Sequence, residues 1–345
     1  MRVLQIMAGA PHGGAELFFE RLVLALARAG LEQRAVIRTQ HARAERLRQA
    51  GIATSELRFG GMLDLLTRAA LRREIADFHP DILLSWMSRA AYMTPPRSAG
   101  QSRPIHCARL GGYYPLKYYR RCDHLIGNTQ SIVDYIKAQG WPADRAHYLP
   151  NFADAVSAPA LPRESLGTPK EAPLLLAMGR LHRNKGFDVL LHALGQLPDT
   201  YLWLAGEGPE ETALRMLAGR LDLSDRVRFL GWRDDGPALM AAADILVCPS
   251  RIEPLGNVVI EAWAQGIFVV AARAPGPSAL IEDGVTGMLA DIDDAGALAL
   301  AIRRGLDNAA FRADAIAAGR STYERNFTEA AVVSLYREFF EKVAA

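Results

Sequence analysis

The sequence predicts an α/β protein built from two doubly wound domains, each a parallel sheet covered by helices on both faces. Three observations carry that prediction. The chain has 345 residues, too many for one ordinary core and suited to two domains of roughly 150–180 residues each. Short runs rich in Val, Ile and Leu alternate with amphipathic helical patterns in two successive series. Between the series lies a stretch rich in proline and alanine with no apolar periodicity.

The first series comprises residues 3–7, 35–38, 82–86, 105–109, 125–127 and 148–149. The second comprises residues 174–178, 201–205, 227–230, 245–248 and 268–271. The stretch PNFADAVSAPALPRESLGTPKEAP, residues 150–173, reads as the boundary. The expected organisation is a first domain over residues 1–150, a linker over 151–172, a second domain over 173–326, and a helix over 327–345 that closes the second domain or crosses back to the first. In open parallel sheets ligands sit outside the carboxyl ends of the strands, so chemistry is expected in the loops that follow them.

Composition narrows the function. Half of the residues are hydrophobic, 23% are charged and the net charge is +2, which describes a globular protein with no wholesale affinity for nucleic acid. Two arginine-rich runs, HARAERLRQ at residues 41–49 and KYYRR at 117–121, read either as solvated faces or as a patch for an acidic acceptor or anionic lipid. Three scattered cysteines form no CxxC pair, which argues against a disulfide framework or a zinc site. The opening MRVLQIMAGAPHGGAE, with only one short apolar run, is expected to be neither a signal peptide nor a membrane span.

The motifs follow the strands in order. After the first run comes GAPHGGAE, where Gly13 and Gly14 at a helix start allow a close backbone approach to an anion; a tight structural turn is the other reading. In MGRLHRNKGFDVLLHAL, Arg180 and Lys185 lie five residues apart on a strand-to-helix loop. A guanidinium fork and a point ammonium converging there would clamp a diphosphate. Asp188 falls in the first turn of the helix that follows, where its charge suits the dipole. The turns LAGEGP and VRFLGW come next. In SRIEPLGNVVIEAWAQG, Pro254 keeps the segment before it in a loop, and Gly256 and Asn257 open a helix whose first amides form an anion site. Glu253 lies just outside that helix and Glu261 about one turn within it, so the two carboxylates flank one site. The alternative is a capping acid and a helical surface acid.

Taken together, GGAE, GRLHRNKGFDVLLHAL, LAGEGP, VRFLG, ADILVCPS, EPLGNVVIE and EDGVTGMLA resemble the retaining GT-B glycosyltransferases of family 4, densely from about residue 172 to 290. The resemblance implies two Rossmann-like domains facing a central crevice, with the acceptor bound mainly by the first. It implies that Arg180 and Lys185 hold the donor diphosphate and stabilise the leaving nucleotide, that Glu253 holds the transferred sugar, and that Glu261 binds the ribose hydroxyls. Backbone groups of Gly14, Gly206, Leu230, Gly231, Leu255, Gly256, Asn257 and Val258 would complete the donor site. No metal and no cofactor are implied beyond a nucleotide-diphosphate sugar co-substrate, UDP being the nucleotide expected first.

The resemblance also implies retention of anomeric configuration. Relatives carry a histidine at the end of a first-domain strand, which here corresponds either to His106 in a shifted register or to Arg109. Ser88, Arg89 and Glu16 are further acceptor-side candidates. The implied partners are a nucleotide sugar and a saccharide or lipid-linked acceptor in cell-envelope glycan synthesis, lipopolysaccharide or capsule. The implied location is cytoplasmic, with peripheral contact at the inner membrane and no nucleic acid. A nucleotide-sugar epimerase on the same scaffold and a non-catalytic nucleotide-sugar-binding protein are the alternatives; the missing GxGxxG turn disfavours a nicotinamide dehydrogenase.

Overall fold

A computed structural model describes residues 1–10, 13–61, 64–97, 104–156 and 158–345. The chain forms two units, Met1–Phe152 with Glu329–Ala345, and Ala153–Thr328.

The first unit holds a seven-stranded sheet of β1 (Arg2–Met7), β2 (Glu32–Arg38), β3 (Ala53–Leu57), β4 (Ile82–Trp86), β5 (Ile105–Leu110), β6 (His124–Gly127) and β7 (Ala146–Tyr148). Its order is β3-β2-β1-β4-β5-β6-β7, with every pairing parallel. Side-chain alternation along β1 sends Val3 and Met7 to one face and Leu4 and Ile6 to the other, and each face has its own core. The helix Glu329–Ala344 belongs to the first of these cores. It buries Val332, Val333, Tyr336, Phe339 and Phe340, a one-sided spacing, and lies against the helix Gly14–Arg28. Arg28 Nη2 donates to Glu329 Oε2 at 2.6 Å where it begins.

The second unit holds β8 (Leu174–Met178), β9 (Tyr201–Ala205), β10 (Val227–Gly231), β11 (Ile245–Cys248), β12 (Phe268–Ala272) and β13 (Met288–Ala290). The order is β10-β9-β8-β11-β12-β13, again all parallel. Each sheet reverses its strand order once, between β1 and β4 and between β8 and β11. Such switch points are where doubly wound folds bind ligands.

Two strands absent from the sequence-based reading, β3 and β13, are both sheet edges. The β3 segment ATSEL is half-exposed, so it lacks the continuous apolar run of a strand covered on both faces. At β7 the observed strand begins two residues before the predicted run and overlaps it at Tyr148. From Arg163 onward the Pro- and Ala-rich stretch is fixed to the second unit: Arg163 donates to Ala242 O at 2.8 Å, and Trp203 Nε1 to Thr168 Oγ1 at 2.9 Å. Among the described residues no helix is long and apolar enough to cross a membrane.

The two arginine-rich runs differ. Residues 41–49 form a helix in which Arg43 is buried, Arg46 binds Glu20 at 2.8 Å and Arg48 donates to Thr54 O at 2.9 Å. Lys117, Tyr118, Arg120 and Arg121 of the second run stay exposed.

Candidate functional site

In the second unit the loops leaving β8, β9, β10 and β11 emerge at the carboxyl edge of the sheet, and backbone hydrogen bonds join them. Gly179 N donates to Ala205 O at 2.9 Å, Leu181 N to Glu207 O at 2.9 Å, and Gly206 N to Gly231 O at 2.7 Å. Arg251 N and Ile252 N both donate to Asn184 O, at 2.8 and 3.1 Å. Segments up to 68 positions apart are thereby held as one surface.

Lys185 and Glu253 meet on that surface: Lys185 Nζ donates to Glu253 Oε2 in an ion pair whose side chains are 28% and 13% exposed. Burial pulls the ammonium pKa down, but the charge and hydrogen bond of Glu253 outweigh it, so Lys185 titrates above an ordinary lysine. Glu253 Oε1 accepts from Gly256 N at 3.3 Å, and the buried Ser250 hydroxyl lies 3.5 Å from Glu253 Oε2. Gly256, at φ 80°, turns the chain into the helix Asn257–Gln265. Leu255 is buried before that turn, Asn257 and Val258 begin the helix half-buried, and Glu261 lies half-buried one turn further on. Arg180 is exposed at the start of the β8 loop, and Leu230 and Gly231 end β10.

Gly186 makes this packing possible. Its φ of 65° is left-handed, and a Cβ there would lie 2.1 Å from Pro249 O, a backbone atom that cannot swing aside. Gly186→Ala is therefore expected to destabilise the second unit by about 3 kcal/mol, strain and clash adding. Urea unfolding checks it; a change below about 1 kcal/mol would mean that the two loops separate easily.

The first unit carries the remaining sequence candidates. Gly14 begins the helix Gly14–Arg28. Glu16, 4% exposed, accepts from Ala10 N at 2.7 Å and lies beneath Gly9 and Gly13, where an added Cβ would come within 2.3 Å of a carboxylate oxygen. It braces Gly9, Ala10 and Gly13 rather than presenting an acid to solvent. Ser88 Oγ is 3.1 Å from Tyr119 Oη, and the exposed Arg89 reaches Phe59 O at 3.3 Å.

His106 and Arg109 require correction, because neither side chain reaches a surface. Strand β5 continues to Leu110, so the loop begins only at Gly111. His106 is 3% exposed, its Nε2 lies 2.9 Å from Ser85 Oγ, and burial pushes its pKa down to about 4 although a hydrogen bond to the backbone of Arg121 works against that. The unfolded chain, titrating near 6.5, takes up this proton first. The stability from burying neutral His106 is therefore complete above pH ~6.5 and declines as pH falls towards ~4, by about 3 kcal/mol at most. Urea unfolding of His106→Gln should show a flatter pH dependence across that window; parallel curves would contradict it.

Arg109 is 2% exposed. Its guanidinium carbon lies 4.7 Å from the Phe18 ring centre and 4.8 Å from that of Trp86, while Nε donates to Tyr336 Oη at 2.8 Å and Nη2 to Asn151 Oδ1. It is a core arginine that ties the helix Glu329–Ala344 to the sheet.

One residue near the ion pair escaped the sequence reading. Arg251 donates through Nη1 and Nη2 to the two oxygens of Asp188, at 2.8 and 2.7 Å. The available signal was an arginine two places before Glu253 and an aspartate two places after Gly186.

Comparison with known proteins gives concordant matches. The family model for glycosyl transferases group 1 matches residues 161–322, and that for glycosyltransferase family 4 matches residues 12–156. The lipopolysaccharide core biosynthesis glycosyltransferase LpsE of Rhizobium meliloti is 36% identical over 326 residues, 94% of each chain. LpsD of the same organism is 35% identical over 347 residues, 100% of this chain and 99% of the relative. Among solved structures, Anabaena Alr3699/HepE in complex with UDP-glucose superposes with a TM-score of 0.84 at 22% identity, covering 99% of this chain and 100% of that one.

Proposed function

The chain belongs to the group 1 glycosyl transferases of glycosyltransferase family 4, and from that premise we propose that it moves a sugar from a nucleotide-diphosphate sugar to a growing lipopolysaccharide core. The observation that carries the donor half is the Lys185–Glu253 pair set against the helix that starts after Gly256. It combines a cation for phosphate, a carboxylate for sugar hydroxyls and amides at a positive helix end. The acceptor half rests on LpsE and LpsD, whose names place both in lipopolysaccharide core biosynthesis and which match nearly the whole chain.

In this reading Arg180 and Lys185 bind the diphosphate. Donor binding transfers the Lys185 ammonium from Glu253 to phosphate oxygens and frees the carboxylate to accept from the sugar hydroxyls. Glu261 accepts from the ribose, and the base lies along Leu230 and Gly231. The bond from the anomeric carbon to the phosphate oxygen breaks, the acceptor oxygen forms its bond on the same face, and the acceptor proton passes to the departing phosphate. Configuration is retained, and the nucleoside diphosphate leaves. The two cations stabilise the negative charge that grows on it. UDP is the first nucleotide to test, being the one bound in the HepE complex. The exposed Lys117–Tyr118 and Arg120–Arg121 positions would suit peripheral contact with anionic lipid at the inner membrane.

The test is transfer itself. Purified protein is incubated with UDP-, GDP- and ADP-sugars, with and without truncated lipopolysaccharide, and nucleotide release is followed. Acceptor-dependent release from one donor supports the proposal; no release from any donor with any core acceptor refutes it.

A further inference from the structure

We propose that Arg251 is a positioning residue for the donor site: by clamping the loop after β8 to the loop after β11, it holds Lys185 within reach of Glu253. The inference rests on the donor reading above and adds a residue to it.

Arg251 sits two residues before Glu253, yet its contacts lie on other segments. Its guanidinium grips both oxygens of Asp188 at 2.8 and 2.7 Å, and Nη1 also donates to Arg183 O at 2.8 Å. Asp293 binds Nε from the far side, and the Arg251 amide reaches Asn184 O at 2.8 Å. Four of these contacts bracket Lys185: the carbonyls of Arg183 and Asn184 precede it and the two Asp188 oxygens follow it. The loop that carries the ammonium is thus held on both sides by a residue of the loop that carries the carboxylate. A planar fork that satisfies a carboxylate with two parallel bonds fixes direction as well as distance, which a lysine at the same place cannot do. The Arg251 side chain is 21% exposed and that of Asp188 45%, so the fork is held from the arginine side. Gly186 allows it by letting the loop approach Pro249 O.

The clamp can be tested through Lys185, one of only five lysines in the chain. Protein grown with lysine labelled with ¹³C at Cε gives five resolvable signals, and Lys185→Arg identifies the one of interest. At pH 10.5, the ordinary lysine midpoint, Lys185 should remain mostly protonated in the wild type. In Arg251→Gln and in Asp188→Asn it should be half protonated at most, with the other four lysines unmoved. Arg251→Lys should fall between. Isothermal titration with UDP, GDP and ADP should show the nucleotide that the wild type binds weakened by about ten- to a hundredfold in Arg251→Gln, the upper end being the scale of a roughly 1 Å misplacement.

A residue that merely supported the fold would lower the unfolding midpoint and leave both the Lys185 signal and the affinity of the folded protein unchanged; that result overturns the proposal. If the wild type binds none of the three nucleotides, the donor reading fails instead, and the lysine signal still decides whether Arg251 sets the pair. Should Arg251→Gln not fold, Asp188→Asn, which keeps the arginine, decides it alone.

Discussion

Glu253→Gln is expected to lower sugar transfer by about 10²–10³-fold while binding the nucleoside diphosphate at least as tightly as the wild type. The carboxylate is the partner of Lys185, and on the donor reading it passes to the sugar hydroxyls when the lysine passes to phosphate. Glutamine keeps the shape and can still accept from Gly256 N, so the helix start should stay in place. It cannot compete with phosphate for an ammonium, so the nucleotide loses a rival while the sugar loses its charged acceptor. Lys185→Ala should do the reverse, weakening the nucleotide by about 2 kcal/mol through the lost charge-assisted bond. Titration of both variants with the bare nucleotide and with its sugar separates these roles. Equal loss of nucleotide binding in both variants would mean that the pair is one structural unit.

Arg109→Ala should destabilise the first unit by about 2–5 kcal/mol, the range of large-to-small changes in a core. The guanidinium is stacked between Phe18 and Trp86 and bonded to Tyr336 and Asn151, four residues from four separate segments. Removing it opens a cavity between the rings and leaves the buried Tyr336 hydroxyl without this acceptor-seeking partner, which is why the loss exceeds that of a surface arginine. Lysine should recover little, because it cannot stack between two rings and serve two acceptors at once. Tyr336→Phe, which keeps the aromatic packing, should cost about 1 kcal/mol. Urea unfolding of the four proteins provides the comparison, and a wild-type midpoint for Arg109→Ala would contradict the core role.

These two residues also show what the sequence made legible. Central strands such as LLLAM at β8 and ILVC at β11 are covered on both faces, so they stand out as apolar runs; the edge strand β3 is partly open and β13 is only 3 residues long, and neither does. Lys185, Glu253 and Gly256 could be placed because each follows a central strand directly, and a doubly wound sheet gathers such loops at one edge. Arg109 also lies near a strand end, but whether its side chain faces outward depends on how far β5 runs. That in turn depends on residues 18, 86, 151 and 336, which no local pattern connects. Glu16 shows a similar limit: an acid at a helix start is recognisable, but its bond to Ala10 N and its approach to Gly9 and Gly13 are tertiary facts. The Arg251–Asp188 clamp joins positions 63 apart, and neither end is unusual in its own segment.

The most direct test of the donor site is calorimetric titration of the wild type with UDP, GDP and ADP beside Arg180→Ala, Lys185→Ala and Glu261→Ala, each first shown to be folded. One nucleotide binding to the wild type, weakened in all three variants, is the predicted result: both cations then face the diphosphate and Glu261 the ribose. A wild type that binds a nucleotide with undiminished affinity in all three variants would place the donor elsewhere and contradict the site.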